Sequence, residues 1–334
     1  IAEQFSDAAQ FASFARFEQA LIAGLEAAAL VNAPAASALI GQIAAFEPDS
    51  QAIAAASIRD GVPVPEYVSQ LRAHVSGPGS QMLHHAATSQ DLVDTATIEA
   101  LARVRTIVAA RLEILLTRIA DISVRDGDNS LQAVTRMQPA LTFRAVDRLA
   151  AWRQPLLDLQ QQLPGLRERT DRLQFGGAVG DLQALGDNAG IVAKTIAQTL
   201  GLDWPGHGWH SARGPIVAFA GWLSELTGAL GKIGQDVALM ALRGDPDIRL
   251  SGGGSSSAMP HKQNPVTAER LVALARFNAT LISGMHQAQI HEMERSGAAW
   301  ALEWMLLPQI CETAGASLEA ACALFQSIDR IGEP

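Results

Sequence analysis

Residues 252–265, GGGSSSAMPHKQNP, concentrate the groups best suited to chemistry. Gly252 to Ala258 are all small and offer little surface for packing, while His261, Lys262, Gln263 and Asn264 supply an imidazole, an ammonium and two amides. A stretch that packs poorly beside one that can grip an anion has the makeup of a mobile catalytic loop over a charged substrate. Asn264 followed by Pro265 predicts a helix N-cap and first position, where free backbone N–H groups favour negative charge. A surface linker leading into a helix uses the same residues, and both readings stay open on composition alone.

Three other segments carry suitable side chains. In HHAATSQDLVDTA, 84–96, Thr88 and Asp91 have capping-box spacing at the start of a long helix. The hydroxyls of Thr88 and Ser89, the first N–H groups of that helix and the Gln90 amide also suit a carboxylate ligand, with His84 and His85 just ahead. In TRMQPALT, 135–142, Arg136 and Gln138 converge only if the backbone is not helical, which Pro139 favours. A guanidinium there forks onto a carboxylate; an ordinary surface arginine is the alternative. In HEMERSGAAWALEW, 291–304, Glu294 and Arg295 precede Gly297, Glu303 is expected to start the next helix, and Trp300 and Trp304 share a face.

The run QFGGAVGDLQALG, 174–186, lacks the preceding strand and the lysine of a phosphate loop, so its glycines are read as allowing close approach at the site or between subunits. There is no HExxH, CxxC or GxSxG pattern, so neither a metal nor a cofactor is expected.

The elements that position these groups read as helices. Leu101, Val104, Val108, Leu112, Leu115, Ile119 and Ile122 are spaced by three or four, as are Leu223, Leu226, Leu230, Ile233, Val237 and Met240. Sustained spacing of this kind predicts long helices packed at shallow angles in a bundle. Further helices are predicted over 8–30, 140–169, 183–200, 265–293 and 303–328, with Pro155 kinking or splitting the second. Shorter helices fill residues 1–88, and 89–329 form the long-helix domain. The stop at Pro334 leaves 330–334 as a short tail and a third domain absent or vestigial. The start at Ile1 points to a few residues missing ahead of it.

A net charge of -9 over 334 residues argues against a nucleic-acid partner. No signal peptide and no uninterrupted 18-residue apolar span is found, so no membrane partner is expected. Cys311 and Cys322, both in one predicted helix, read as reduced core thiols of a cytoplasmic protein. Several apolar faces on long helices predict self-association.

Together these segments resemble the fumarase/aspartase superfamily. SSAMPHKQNP matches its SSxMPxKxN signature, HHAATSQD its HxxxTSxD region with His84 as the histidine, and TRMQPA its second region. Within it, LQFGGAVG, MPHKQNPV and ERSGAAWALEW look most like the 3-carboxy-cis,cis-muconate lactonizing enzymes. The resemblance implies an all-α fold: a long central bundle, a small N-terminal helical domain, and a homotetramer whose sites are each shared by three subunits. The implied substrate is a small polycarboxylate, closed to a lactone in protocatechuate breakdown when one of its carboxylates adds internally. A proton is then set on carbon next to another carboxylate, through a carbanion-like aci-carboxylate.

By motif transfer, Ser256 moves the proton and Lys262 neutralises developing charge. Lys262 and Asn264 grip carboxylates, Thr88 and Ser89 hold another, Gln138 orients the substrate, and His84, Gln90 and Met259 line the site. Two departures from the family pattern matter. The second region usually reads THxQ, but here Arg136 stands for the histidine. Arginine does not shuttle protons near neutrality, so Arg136 is expected to bind a carboxylate. Ser255 also adjoins the matched pair, leaving the choice among Ser255, Ser256 and Ser257 to motif matching. Adenylosuccinate lyase or another fumarate-forming lyase is the enzymatic alternative, and a structural protein on the same scaffold the non-enzymatic one.

Overall fold

The computed structural model describes residues 1–255, 257–259 and 263–334. Helices α1 (Asp7–Ala27), α2 (Ala33–Ala44), α3 (Ser50–Asp60) and α4 (Val64–His74) open the chain. The first three start at polar caps, because Ser6, Asn32 and Asp49 side chains accept backbone N–H groups that the first turn leaves unpaired. Phe11, Phe14 and Tyr67 pack as an aromatic cluster between α1 and α4. This smaller core also recruits Leu173, Phe175, Val192, Ile196 and Trp300 from much later in the chain.

Helix α5 (Ser89–Asp126) carries the first predicted stripe, and all seven of its spaced apolar residues are buried. Strands β1 (Ser130–Thr135) and β2 (Gln138–Arg144) form an antiparallel hairpin, followed by α6 (Ala145–Gln161), α7 (Leu163–Thr170) and α8 (Ala189–Leu200). The second stripe lies on α9 (Gly214–Arg243). Short strands β3 (Ile248–Leu250), β4 (Gly254–Ser255) and β5 (Gln263–Asn264) lead to α10 (Val266–Gln287), α11 (Ala298–Gln326) and β6 (Ile328–Ile331). The larger core is built from α5, α6, α9, α10 and α11. Each Leu or Ile fully buried there contributes roughly 1.5–3 kcal/mol.

Glycine lets α9 and α10 approach closely. A Cβ at Gly234 would stand 2.5 Å from the Ala268 carbonyl oxygen, and one at Gly231 would collide with Ala275. Helix α9 is long and apolar enough to cross a membrane by length and composition, but its stripe is part of the core. Cys311 and Cys322 lie on α11 as free thiols, and burial pushes both up in pKa.

Four expectations change. Residues 140–144 belong to β2, because the alternating run after Pro139 pairs with β1. Pro155 stays inside α6, and the break comes at Gln162, ahead of Pro164. Asn264 is a strand residue and Pro265 takes the N-cap of α10, one position later than expected. Helix α11 begins at Ala298, so Glu303 lies within it. The last residues are tied in: β6 pairs with β3, and Ser130 and Glu333 exchange backbone hydrogen bonds of 2.7 and 2.8 Å.

Candidate active site

The turn before α5 is built around one buried carboxylate, Asp91. Thr88 is the N-cap of the helix, and Asp91 Oδ2 accepts its N–H at 2.9 Å, as capping-box spacing predicts. The same carboxylate does more. Oδ2 also accepts the Gly177 N–H at 3.0 Å, and Oδ1 accepts from Gly176 N at 2.9 Å, Gln174 Nε2 at 3.1 Å and His210 Nε2 at 3.2 Å. Asp91 therefore fastens the 84–91 turn to the glycine loop at 176–180 and to the segment before α9. Such a buried carboxylate is tolerable only because its lone pairs are filled.

The loop glycines are needed for this approach. Gly177 has φ +68, and a Cβ there would stand 2.7 Å from the Ala86 carbonyl oxygen. Gly177→Ala is expected to push the loop off the turn, weakening substrate binding at least about fivefold while the subunit stays folded, since a strained φ of this kind costs about 1–3 kcal/mol. A KM measured beside a thermal melt checks it.

Arg295, in the loop ahead of α11, lies over this turn. Its Nη1 donates to Thr88 Oγ1 and its Nη2 to the Ala178 carbonyl, both at 3.1 Å. A guanidinium, a hydroxyl and the start of a 38-residue helix converge there, a grouping able to hold a carboxylate. Ser89 is half-buried at the first position of α5.

Gln90, expected to line the site, follows Ser89 on α5. It is buried, and its Nε2 donates to Asp94 Oδ2 at 3.0 Å and to the His210 carbonyl at 2.9 Å. Its amide nitrogen ties α5 to the segment before α9, and its Oε1 has no hydrogen-bond partner among the described residues.

Behind the turn lies a buried ion cluster that spacing did not reveal. Arg213 is forked by Asp94 at 2.6 and 3.0 Å and by Glu303 at 2.5 and 3.0 Å, and Trp300 Nε1 donates to Asp94 at 2.9 Å. Burial pulls the guanidinium down in pKa, but the two carboxylates outweigh it and the net shift is upward. Burial also raises Glu303, against the pull of Arg213. Nearby, burial first and Arg213 second hold His291 below the usual histidine value, so its imidazole is neutral near pH 7.

Arg136 and Met137 form the two-residue turn of the β1–β2 hairpin, with φ +47 and +66, and Thr135 pairs with Gln138 across it. Such a turn favours Asn-Gly, so an arginine and a methionine are held there against local preference. Arg136 opens onto a cavity of about 490 Å³ with Arg148, Lys232, Arg243, Asp236 and Asp247. Asp236 is engaged by Lys232 and Trp152, and Asp247 by Arg243. Four cations against two carboxylates leave the lining positive, which suits an anion. Gln138 is exposed at the start of β2.

The signature loop leaves the bundle through a narrow neck. Gly254 pairs with Asn264 and Ser255 with Gln263, and the Ser251 N–H is anchored on the Ser327 carbonyl at 2.7 Å. Gly252 and Gly253 have φ +76 and +156, conformations that glycine adopts without penalty. Asn264 lines a cavity of about 470 Å³ between this neck and the end of α11. Met259 is 41% exposed. Ser256 and Lys262 lie outside the described residues.

Within one subunit the three groups stand apart. Neither the Arg136 cavity nor the Asn264 cavity takes in a residue of the 84–91 turn.

The lyase family model matches residues 17–277, which include the 84–91 turn, the Arg136 hairpin and the signature loop. The chain belongs to the fumarase/aspartase superfamily. It is 33% identical to the 3-carboxy-cis,cis-muconate cycloisomerase of Pseudomonas aeruginosa, over 97% of this chain and 72% of that one. The crystal structure of the 3-carboxy-cis,cis-muconate lactonizing enzyme from Pseudomonas putida superposes with a TM-score of 0.90 at 32% identity, covering 98% of this chain and 74% of that one. A fumarate lyase from Mesorhizobium sp. BNC1 gives the same TM-score, 0.90, at 26% identity, over 99% and 75% of the two chains. The all-α fold and the superfamily read from the signature loop are those of these relatives, and the chain is an enzyme of this lyase family.

Proposed function

We propose that this chain cycloisomerises 3-carboxy-cis,cis-muconate to carboxymuconolactone, a step of protocatechuate degradation. The observation that carries the reading is the 33% identity, across nearly the whole chain, to an enzyme of that name. The replacement of the usual second-region histidine by Arg136 supports it. A reaction whose oxygen nucleophile is already a carboxylate needs no acid for a leaving group, and a triacid has one more carboxylate to hold.

In this reading one substrate carboxylate adds to the neighbouring double bond, and charge builds on the carbon next to another carboxylate. Thr88 and Ser89, at the start of α5, hold a carboxylate with Arg295. Arg136 clamps another, and Gln138 orients the chain between them. Asn264 and Lys262 grip a carboxylate, Lys262 neutralises the growing charge, Met259 shields it, and Ser256 delivers the proton to carbon. His84 completes the lining. No step calls for a metal or cofactor.

Because the three groups stand apart in one subunit, the site is assembled between copies, as a homotetramer with each site shared by three subunits. Exposed apolar side chains support this: Met137 at 69%, Leu141 at 80% and Leu242 at 82% surround the Arg136 hairpin, more than a lone subunit would leave in water. The division at residue 88 and a cytoplasmic location belong to the same reading.

The test is direct. Adding the protein to 3-carboxy-cis,cis-muconate should remove the diene absorbance and yield the lactone. Release of fumarate from adenylosuccinate, with the diene left untouched, would favour the fumarate-forming alternative. Arg136→Gln is expected to raise KM for the triacid about 10–100-fold with a smaller change in kcat, the loss of one charge-assisted clamp. Lowered turnover with unchanged KM would remove the clamp role.

A further inference from the structure

Glu18 is fully buried on α1, in the N-terminal unit. Its carboxylate binds both ends of one distant residue. Oε2 accepts the His84 backbone N–H at 3.0 Å, and Oε1 lies 2.6 Å from His84 Nδ1. His84 has φ +58, a left-handed conformation that residues other than glycine rarely adopt. In that conformation the N–H and Nδ1 of His84 both reach one carboxylate, and the two-point grip holds it there. Among the described residues Tyr67, the phenol next to this carboxylate, forms no hydrogen bond, and Glu18 bonds to His84 alone.

The consequence is chemical. An ionised carboxylate only accepts, so the hydrogen on the imidazole sits on Nδ1. Nε2, on the far side of the ring, is then the nitrogen left to meet a ligand. His84 begins the turn that ends at Thr88, the N-cap beside Arg295.

We infer that Glu18 is a positioning residue: it fixes His84 as the Nδ1–H tautomer and locks the 84–88 turn, so that Nε2 is the atom offered to the substrate. The part played by the substrate rests on the lactonization reading; the tautomer does not. A buried acid of the N-terminal unit thus sets the state of a ring 66 residues away in sequence.

Nitrogen NMR on the whole enzyme labelled with ¹⁵N-histidine tests this, with the His84→Gln spectrum identifying the resonance. In its neutral form His84 should show a protonated Nδ1 and a bare Nε2, the tautomer disfavoured by histidine free in water. The reverse pattern in the unaltered enzyme overturns the inference. Glu18→Gln should mix or reverse the pattern and lower kcat/KM at least about tenfold, whereas Glu18→Asp keeps the native pattern. The Glu18→Gln, His84→Gln double variant should lose no more activity than His84→Gln alone; additive losses overturn the inference. If Glu18→Gln does not fold, the spectrum of the unaltered enzyme still decides. The native pattern in an enzyme that fails to lactonise would sink the functional reading and leave the assignment of Glu18 standing.

Discussion

Arg213→Met is expected to destabilise the subunit by about 3–5 kcal/mol, the usual consequence of removing one partner of a buried ion cluster. The side chain is fully buried, and its loss leaves Asp94 and Glu303 facing each other without a counter-charge. Asp94 also holds Trp300 Nε1 and Gln90 Nε2, so the damage spreads to the turn that carries Thr88 and Ser89. Denaturant unfolding of the variant should show the loss as a lower midpoint. Adding Asp94→Leu and Glu303→Leu should recover much of the stability, because an apolar replacement of the whole cluster avoids the stranded charges. The recovered protein should remain impaired in catalysis, since Gln90 and Trp300 lose their Asp94 partner beside the turn, leaving only the bonds of Asp91 and Gln90 to His210. A single variant as stable as the native protein would mean that the cluster contributes nothing to the fold.

The second large effect concerns Ser256. A serine hydroxyl is a poor base, and it serves in proton transfer to carbon only where cations and N–H groups hold its alkoxide. Lys262 shares its loop, and the neck of that loop at Gly254–Asn264 brings the two sides of the loop together. Ser256→Ala should lower turnover at least about 100-fold with little change in KM, as expected for a group that acts on the reacting proton. Ser257→Ala should remain within a few-fold of native. The opposite outcome moves the role by one position along the run of three serines.

The fold was largely legible because its signal is local. Both apolar stripes became long helices, since a spacing of three and four permits little else over many turns. The β1–β2 hairpin escaped because its turn carries Arg136-Met137 in place of Asn-Gly, and because Leu141 to Arg144 run straight into α6. At the candidate site the signature loop and the capping box were readable as motifs. The partners that hold them were not. Glu18 meets His84, and Arg213 meets Asp94 and Glu303, across 66, 119 and 90 residues. No spacing rule reaches that far: a buried carboxylate reads in sequence like a solvated one until the fold brings its partner. Arg295 was noticed only as a residue ahead of Gly297, and its place over Thr88 depends on how the α10–α11 loop folds back.

In this enzyme the Ser256 hydroxyl is expected to move a proton at carbon. Running the reaction in deuterium oxide and following the label by NMR tests it most directly. The native enzyme and Ser257→Ala should place one deuterium on the carbon next to the carboxylate of carboxymuconolactone, and Ser256→Ala should do so at least about 100-fold more slowly. Label entering at the native rate in Ser256→Ala would contradict it.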